Sequence, residues 1–306
     1  MDIEGAAEVL KQILDLDSGN GKYYEITKIF VPEKQQEVDY VKLFPNSNVI
    51  VMDKASKIDP NIINEFAYLL FSGWSWKIDK EIYEKIPCII YHISPAPKYR
   101  GGSPIQHQIL AGEKTSAVTL LRAVEKFDSG KIYAQEEISL KGKLKDIFDE
   151  IVRGSVIGTI KMFKGLYEET LVPHTQDESK ATYCKRRKPS DSEITKQDLV
   201  TKNSEQIYDF VRALQDPYPN AFVKCLEGSI LLLKDADLVY DSGDVESNVR
   251  GSDRIDRYVE LKLEDFANKS AEELSIMIND KNKIVYFVCS DGKKIYFVKS
   301  DINNKN

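Results

Sequence analysis

The residues best suited to chemistry in this chain are a histidine, a stiff Pro-rich loop and a carboxylate. They lie in His92-Ile-Ser94-Pro-Ala-Pro-Lys98-Tyr99-Arg100-Gly101-Gly-Ser-Pro104 and in the following Phe127-Asp128-Ser-Gly130. Histidine is the side chain built to exchange a proton near neutral pH, and a neighbouring aspartate can orient its ring and stabilise the imidazolium. His92 and Asp128 are therefore candidate partners for acid/base work on a small acyl group. Each has a plainer reading, His92 as a structural histidine at a strand end and Asp128 as a turn residue bonded to its own backbone. The loop Lys98-Tyr99-Arg100-Gly101-Gly102 carries two cations and two glycines, so it reads either as a flap over an anionic substrate or as an ordinary surface loop. Trp74 and Trp76 follow Gly73 and would suit the wall of a cleft for a flat ring, or plain core packing. Lys185-Arg186-Arg187-Lys188 is a dense basic run whose guanidinium forks fit a diphosphate, with a solvated linker as the alternative. His107 and His174 have no partner pattern and read as structural or exposed.

These groups need elements to hold them. Pro87 to Tyr91 reads as a buried strand, which places His92 at a strand's carboxyl end, where open α/β sheets bind ligands. Before it, Ala6–Leu16 has helical periodicity, Tyr24–Val31, Asn48–Met52 and Ala67–Phe71 read as strands, and Pro60–Phe66 reads as a short helix capped by Asp59. After it, Pro104 opens a helix toward Leu110. Thr119–Ala123 and Lys131–Leu140 are strands flanking the Asp128 loop, and Leu144–Tyr167 is a long amphipathic helix with Ile147, Ile151, Val156, Ile160 and Phe163 inward. A doubly wound sheet ordinarily begins with a strand, whereas here the first pattern is the 6–16 helix, so the first strand reads as missing: either it has been lost, or the sequence is trimmed, or the sheet is shorter than usual. Residues 168–200 are polar and read as a wrapping linker. A helix Ser204–Leu214, capped by Ser204, is followed by short strands at Ala221–Cys225, Ile230–Lys234, Tyr258–Leu263, Ile284–Cys289 and Lys294–Lys299, the last two joined by a Ser290-Asp291-Gly292 hairpin turn. Asp241–Asp256 reads as a mobile surface loop. The expected layout is a catalytic domain over 1–178, a linker over 179–200 and a small β-barrel domain over 201–306.

Composition narrows the function. The chain has 306 residues and 42% hydrophobic content, enough for two real cores. No basic leader opens it and no apolar run approaches the roughly 18 residues needed to span a bilayer, which reads as a cytoplasmic protein without a membrane partner. Four cysteines far apart, with no CxxC pair, read as reduced thiols rather than disulfides or metal ligands. A formal net charge of −6 argues against nucleic acid as a partner.

With these residues assembled, the chain resembles the 10-formyltetrahydrofolate-dependent formyltransferase family, which includes methionyl-tRNA formyltransferase and the sugar-nucleotide N-formyltransferases. The matching pieces are Gly73-Trp74-Ser75-Trp76-Lys77-Ile78, His92-x-Ser94, Pro97-Lys98-Tyr99-Arg100-Gly101, Pro104-Ile105-Gln106 and Val124-Glu-Lys-Phe127-Asp128-Ser-Gly130. Further on, Tyr183-Cys-Lys-Arg186-Arg187-Lys-Pro189 and Val211-Arg-Ala-Leu-Gln-Asp-Pro217-Tyr-Pro219-Asn-Ala221 look like the start of that family's C-terminal domain. The resemblance implies an α/β fold with a Rossmann-type, parallel-rich sheet domain and a small OB-like β-barrel. It implies transfer of a formyl group from 10-formyltetrahydrofolate to an amine, without a metal.

Carried over residue by residue, it implies His92 and Asp128 as catalytic, and Gly73, Trp74, Ser75, Trp76, Val124 and Phe127 beside the folate. It implies Ser94, Lys98, Tyr99, Arg100, Gly101, Arg186 and Arg187 beside the acceptor, and it allows for a homodimer. The family's third catalytic residue, an asparagine two positions before the histidine, is Ile90 here. Isoleucine donates no hydrogen bond, so the formyl oxygen must be held by His92 as imidazolium or by Tyr91, Ser94 or Gln106. The acidic balance favours a nucleotide-linked amino sugar over tRNA as acceptor. Ile90 keeps open a folate-binding or regulatory protein without transfer, and a hydrolase passing formyl to water would use the same pair.

Overall fold

The structure, a computed structural model, describes residues 3–20, 23–32, 38–52, 58, 62–74, 77–238, 258–281 and 283–303. The chain divides into two compact units, residues 1–108 with 113–186, and residues 109–112 with 187–306. The division at 186/187 falls inside the stretch read as linker.

In the first unit the periodic and apolar runs become α1 (Ile3–Asn20), β1 (Ile29–Pro32), α2 (Tyr40–Leu43), β2 (Val49–Met52), a 3-10 turn (Ile62–Glu65), β3 (Leu69–Phe71), α3 (Lys80–Tyr83) and β4 (Cys88–His92). There follow β5 (Arg100–Gly101), α4 (Pro104–Leu110), β6 (Thr115–Arg122), β7 (Ile132–Ser139), α5 (Leu144–Tyr167) and β8 (Tyr183–Cys184). The 3-10 turn stands where a helix over 60–66 was expected; Asp59, Pro60 and Asn61 lie outside the described residues. β3, β4, β6 and β7 form one sheet in that order, β3 parallel to β4 and the other two pairs antiparallel. Parallel pairing also joins β1 to β2 and β5 to β8. The uninterrupted apolar character of β4 and β6 follows from cover on both faces: Cys88, Ile89, Val118, Leu120 and Leu121 are fully buried.

α5 begins where the Asp146 carboxylate accepts from the Lys143 backbone N–H at 2.8 Å, a negative charge at the positive end of a helix. Its stripe buries Ile147, Ile151 and Val156, while Phe163 meets the rings of Tyr24 and Tyr68 at 5.0 and 6.0 Å. Each fully buried Ile contributes roughly 1.5–3 kcal/mol.

Among the described residues, β1–β2 and the four-stranded sheet are separate. A cavity of about 620 Å³ is lined by Ile29, Phe30 and Val31 of β1, by Leu69 and Phe71 of β3, and by Val9 of α1.

The second unit holds α6 (Lys196–Thr201), α7 (Ser204–Arg212), β9 (Ala221–Lys224), β10 (Ile230–Leu238), β11 (Tyr258–Leu261), α8 (Asp265–Asn268), α9 (Ala271–Asn279), β12 (Ile284–Val288) and β13 (Lys294–Asn303). Its sheet runs β11-β12-β13-β10-β9. The expected barrel is thus, among the described strands, an open five-stranded sheet with β11 and β9 at its edges. The cap of α7 is Asn203, one residue before the serine expected there. Asn203 accepts from the Gln206 N–H at 2.9 Å and Gln206 returns the bond to the Asn203 N–H at 3.0 Å. The Ser204 hydroxyl is spent on Asp291 in the β12–β13 turn, at 2.9 Å. The stretch 241–256 lies outside the described residues.

Candidate active site

His92 is the last residue of β4, 7% exposed, and in register with Thr119 of β6. Its ring is bonded at one nitrogen and faces a carboxylate with the other. Nε2 lies 3.0 Å from the Tyr99 carbonyl oxygen, and Nδ1 lies 3.6 Å from Asp128 Oδ2. A carbonyl only accepts, so at that contact Nε2 is the donor. Asp128 is itself nearly buried, with its side chain 10% exposed. The same Oδ2 accepts the Gly101 backbone N–H at 2.8 Å, so one carboxylate oxygen faces both a strand amide and the imidazole.

Two glycines fix this meeting. Gly101 has φ +102, and a Cβ there would stand 2.4 Å from the Cys184 carbonyl oxygen of β8. At Gly130 a Cβ would stand 1.8 Å from the Arg122 carbonyl oxygen. That contact closes the 123–131 loop just beside the Arg122 N–H to Lys131 carbonyl bond at 2.9 Å. Gly130→Ala must push the loop off β6, at a cost of roughly 1–3 kcal/mol. Thermal unfolding is expected to show a lowered Tm together with reduced turnover; an unchanged Tm would mean that the loop closes in some other way.

Arg100 was expected to reach an acceptor, and the structure puts it to a different use. It is 0% exposed, and its guanidinium donates from Nε and Nη2 to Gln176 Oε1, from Nη1 to the Tyr183 hydroxyl and from Nη2 to Glu178 Oε1. Beside the Arg100 and Lys126 cations, the Glu178 carboxyl is held down to about 2. Gln176 in turn donates to the carbonyls of Asp128 and Gly130 at 2.8 and 2.7 Å. These partners come from the polar stretch read as linker, and no local sequence signal marks them. The nearest hint was the Tyr183-Cys184 dipeptide, which pairs with Arg100-Gly101 as β8 against β5. Burial and the Asp128 carboxylate push the Cys184 thiol up to about 11, and its Sγ faces the Tyr99 and Arg100 carbonyls at 3.3 and 3.4 Å.

The other expected site residues fall into four groups. Ser94 is fully buried and donates to the Lys98 carbonyl at 2.7 Å, while Tyr99, at φ 57, donates its hydroxyl to Glu113 at 3.0 Å; Lys98 is exposed. Trp74 packs edge-on against Phe71 with centroids 5.1 Å apart, Gly73 has φ 62, and Ser75 and Trp76 lie outside the described residues. Val124 and Phe127 present apolar surface to solvent on the Asp128 loop, Phe127 being 60% exposed. An exposed ring beside a largely shielded carboxylate is a fitting surface for a flat heterocycle. Arg186 is exposed in the first unit, whereas Arg187 belongs to the second, over the Phe210 ring at 5.8 Å and donating to the Asp191 carbonyl.

Ile90 shares His92's face of β4 and packs against both the Phe71–Cys88 and the Ala96–Leu121–Ile132 clusters. Of the four donors considered for its missing amide, Tyr91 points to the opposite face, its hydroxyl 2.7 Å from Thr159 Oγ1 of α5. Ser94 and His92 Nε2 are engaged as described. Gln106 is buried, and its Nε2 has no hydrogen-bond partner among the described residues.

Residues 68–146, which include His92 and Asp128, match the formyl transferase family. The methionyl-tRNA formyltransferase of Campylobacter lari is 34% identical over 186 residues, 58% of each chain, and the bifunctional polymyxin resistance protein ArnA of Wigglesworthia glossinidia brevipalpis is 30% identical over 193 residues, 61% of this chain and 28% of that one. The chain thus spans little more than half the length of the methionyl-tRNA formyltransferases it matches. Among solved structures, methionyl-tRNA formyltransferase from Clostridium thermocellum is 25% identical with a TM-score of 0.57, over 76% of this chain and 89% of that one. A 4-N formyltransferase from Francisella tularensis shares the fold at 19% identity and a TM-score of 0.60, over 73% and 92%.

Proposed function

We infer from this chain's membership of the 10-formyltetrahydrofolate-dependent formyltransferase family that it transfers a formyl group from 10-formyltetrahydrofolate to an amine. The acceptor we propose is the amino group of a nucleotide-linked amino sugar. One observation carries the reading: within the matched segment, a largely shielded carboxylate sits between a strand amide and the imidazole of His92.

In the reaction, the amine nitrogen attacks the formyl carbon, the bond from that carbon to N10 of the folate breaks, and one proton moves from the amine to N10. His92 is the group for that proton. Asp128 favours a proton on Nδ1, which leaves Nε2 to accept from the attacking amine once the Tyr99 carbonyl gives up its contact, and to return the proton to the departing nitrogen. Val124 and Phe127 are assigned to the folate edge, and Lys98 and Arg186 to the charged part of the acceptor.

The net charge of −6 supports a small acceptor over tRNA, whose backbone calls for a basic footprint. Methionyl-tRNA is the second reading, favoured by the identity to the Campylobacter lari enzyme. The test is turnover of 10-formyltetrahydrofolate with amino-sugar nucleotides, with methionyl-tRNA and with no acceptor, alongside a melting shift with 5-formyltetrahydrofolate. A ligand at a hundred times its Kd adds about 2.7 kcal/mol of stability. Formylation of the sugar amine is expected; turnover with methionyl-tRNA alone would move the acceptor, turnover without any amine would make the protein a hydrolase, and a melting shift without turnover would make it a folate binder.

A further inference from the structure

We propose that Gln176 is the positioning residue that sets the Asp128 carboxylate against His92. This rests on the acid/base reading of that pair. Gln176 is buried and all of its hydrogen-bonding capacity is used: Nε2 gives both protons to the Asp128 and Gly130 carbonyls, and Oε1 takes two bonds from Arg100 Nε and Nη2 at 3.1 and 2.8 Å. Only one orientation of the amide satisfies this arrangement, because carbonyls only accept and guanidinium only donates. Arg100 therefore fixes which way Gln176 faces, and Gln176 fixes the two peptide carbonyls on either side of Ser129.

Those carbonyls belong to a turn. Asp128 has φ 54, a left-handed conformation that aspartate adopts more readily than most residues but that still needs partners to hold it. Gln176 reaches the turn because the segment before it is pinned: the Ile132 N–H donates to the His174 carbonyl at 2.9 Å and the His174 N–H to the Ile132 carbonyl at 3.1 Å. The neighbour of Arg100 is Gly101, whose N–H binds Asp128 Oδ2. The Gln176–Arg100 couple thus holds Asp128 by its backbone through the amide and by its carboxylate through the adjoining residue. Glutamate cannot replace glutamine here, since a carboxylate would face two carbonyl oxygens at hydrogen-bond distance with no proton to give.

The experiment is a double-mutant cycle in the full chain: Gln176→Glu, Gln176→Met, Asp128→Asn and the two doubles. Each is assayed for turnover of 10-formyltetrahydrofolate with the acceptor used by the wild type, for 5-formyltetrahydrofolate binding and for Tm. Met keeps the length of the glutamine side chain without its hydrogen-bonding amide and adds no charge, so the test survives if the Glu variant does not fold. Each Gln176 single variant is expected to lower kcat by about tenfold to a hundredfold, as a small misplacement of a reacting group does, with KM for the folate little changed. In the Asp128→Asn background the same change is expected to cost less than about twofold more. Full multiplication of the two effects, or a Gln176 variant with wild-type kcat, would overturn the proposal while leaving the acid/base reading in place. An Asp128→Asn protein with wild-type turnover would instead bring down that reading and the proposal with it.

Discussion

Replacing His92 with asparagine is expected to lower formyl turnover by at least about a hundredfold, the range lost with a general acid/base group, while 5-formyltetrahydrofolate still binds. The separation follows from where the ring sits. His92 ends β4 and touches the Tyr99 carbonyl and Asp128, whereas the surfaces assigned to the folate, Val124 and Phe127, belong to the loop after β6. The asparagine amide stands where Nδ1 stood, so it keeps a donor toward Asp128 and gives up only the Nε2 contact with the Tyr99 carbonyl, while the proton carrier is lost. Turnover near wild type in a folded His92→Asn protein would remove His92 from the chemistry.

The second large effect is expected in the other direction. Ile90→Asn places an amide donor on His92's face of β4, two residues before it. A donor aimed at a developing oxyanion contributes about 2.7–4 kcal/mol, roughly a hundredfold to a thousandfold in rate. Ile90 packs between two apolar clusters, so the same change is expected to cost about 1–3 kcal/mol of stability for an amide drawn partly out of water. A faster, less stable enzyme is the expected outcome, read by single-turnover kinetics and thermal unfolding on the same sample. A folded Ile90→Asn protein with unchanged rate would locate the oxygen's donor elsewhere, and Gln106→Leu would then be the variant to measure, because the Gln106 amide is buried with its Nε2 unspent among the described residues.

What could be read from residues alone tracks how local the deciding physics was. Cys88–Tyr91 and Leu144–Tyr167 were legible because an unbroken apolar run and a 3.6-residue stripe each declare their own burial. Arg100 was misread as a reaching cation because arginine is ordinarily exposed. Its burial is decided by Gln176 and Glu178, 76 and 78 residues further on. Those two looked like linker for the same reason, since a polar stretch whose partners are distant is indistinguishable from one bonded to water. Strand alternation forecast β9 to β13 without giving their order. Closure into a barrel is a property of register across the whole sheet, and the described strands run open from β11 to β9.

The break between β1 and β3 bears on how this unit comes apart. A hydrogen-bonded ladder transmits cooperativity from strand to strand, and here it stops at a cavity bridged by side chains such as the Phe30 and Phe66 rings, 6.1 Å apart. The β1–β2 pair can therefore open as its own unit, with a free energy below that of global unfolding, and without breaking a rung of the sheet that ends in His92. What ties the amino-terminal strands to the sheet that ends in His92 is therefore side-chain packing around the cavity, which Tyr91 of β4 also lines, rather than a continuous ladder of backbone bonds.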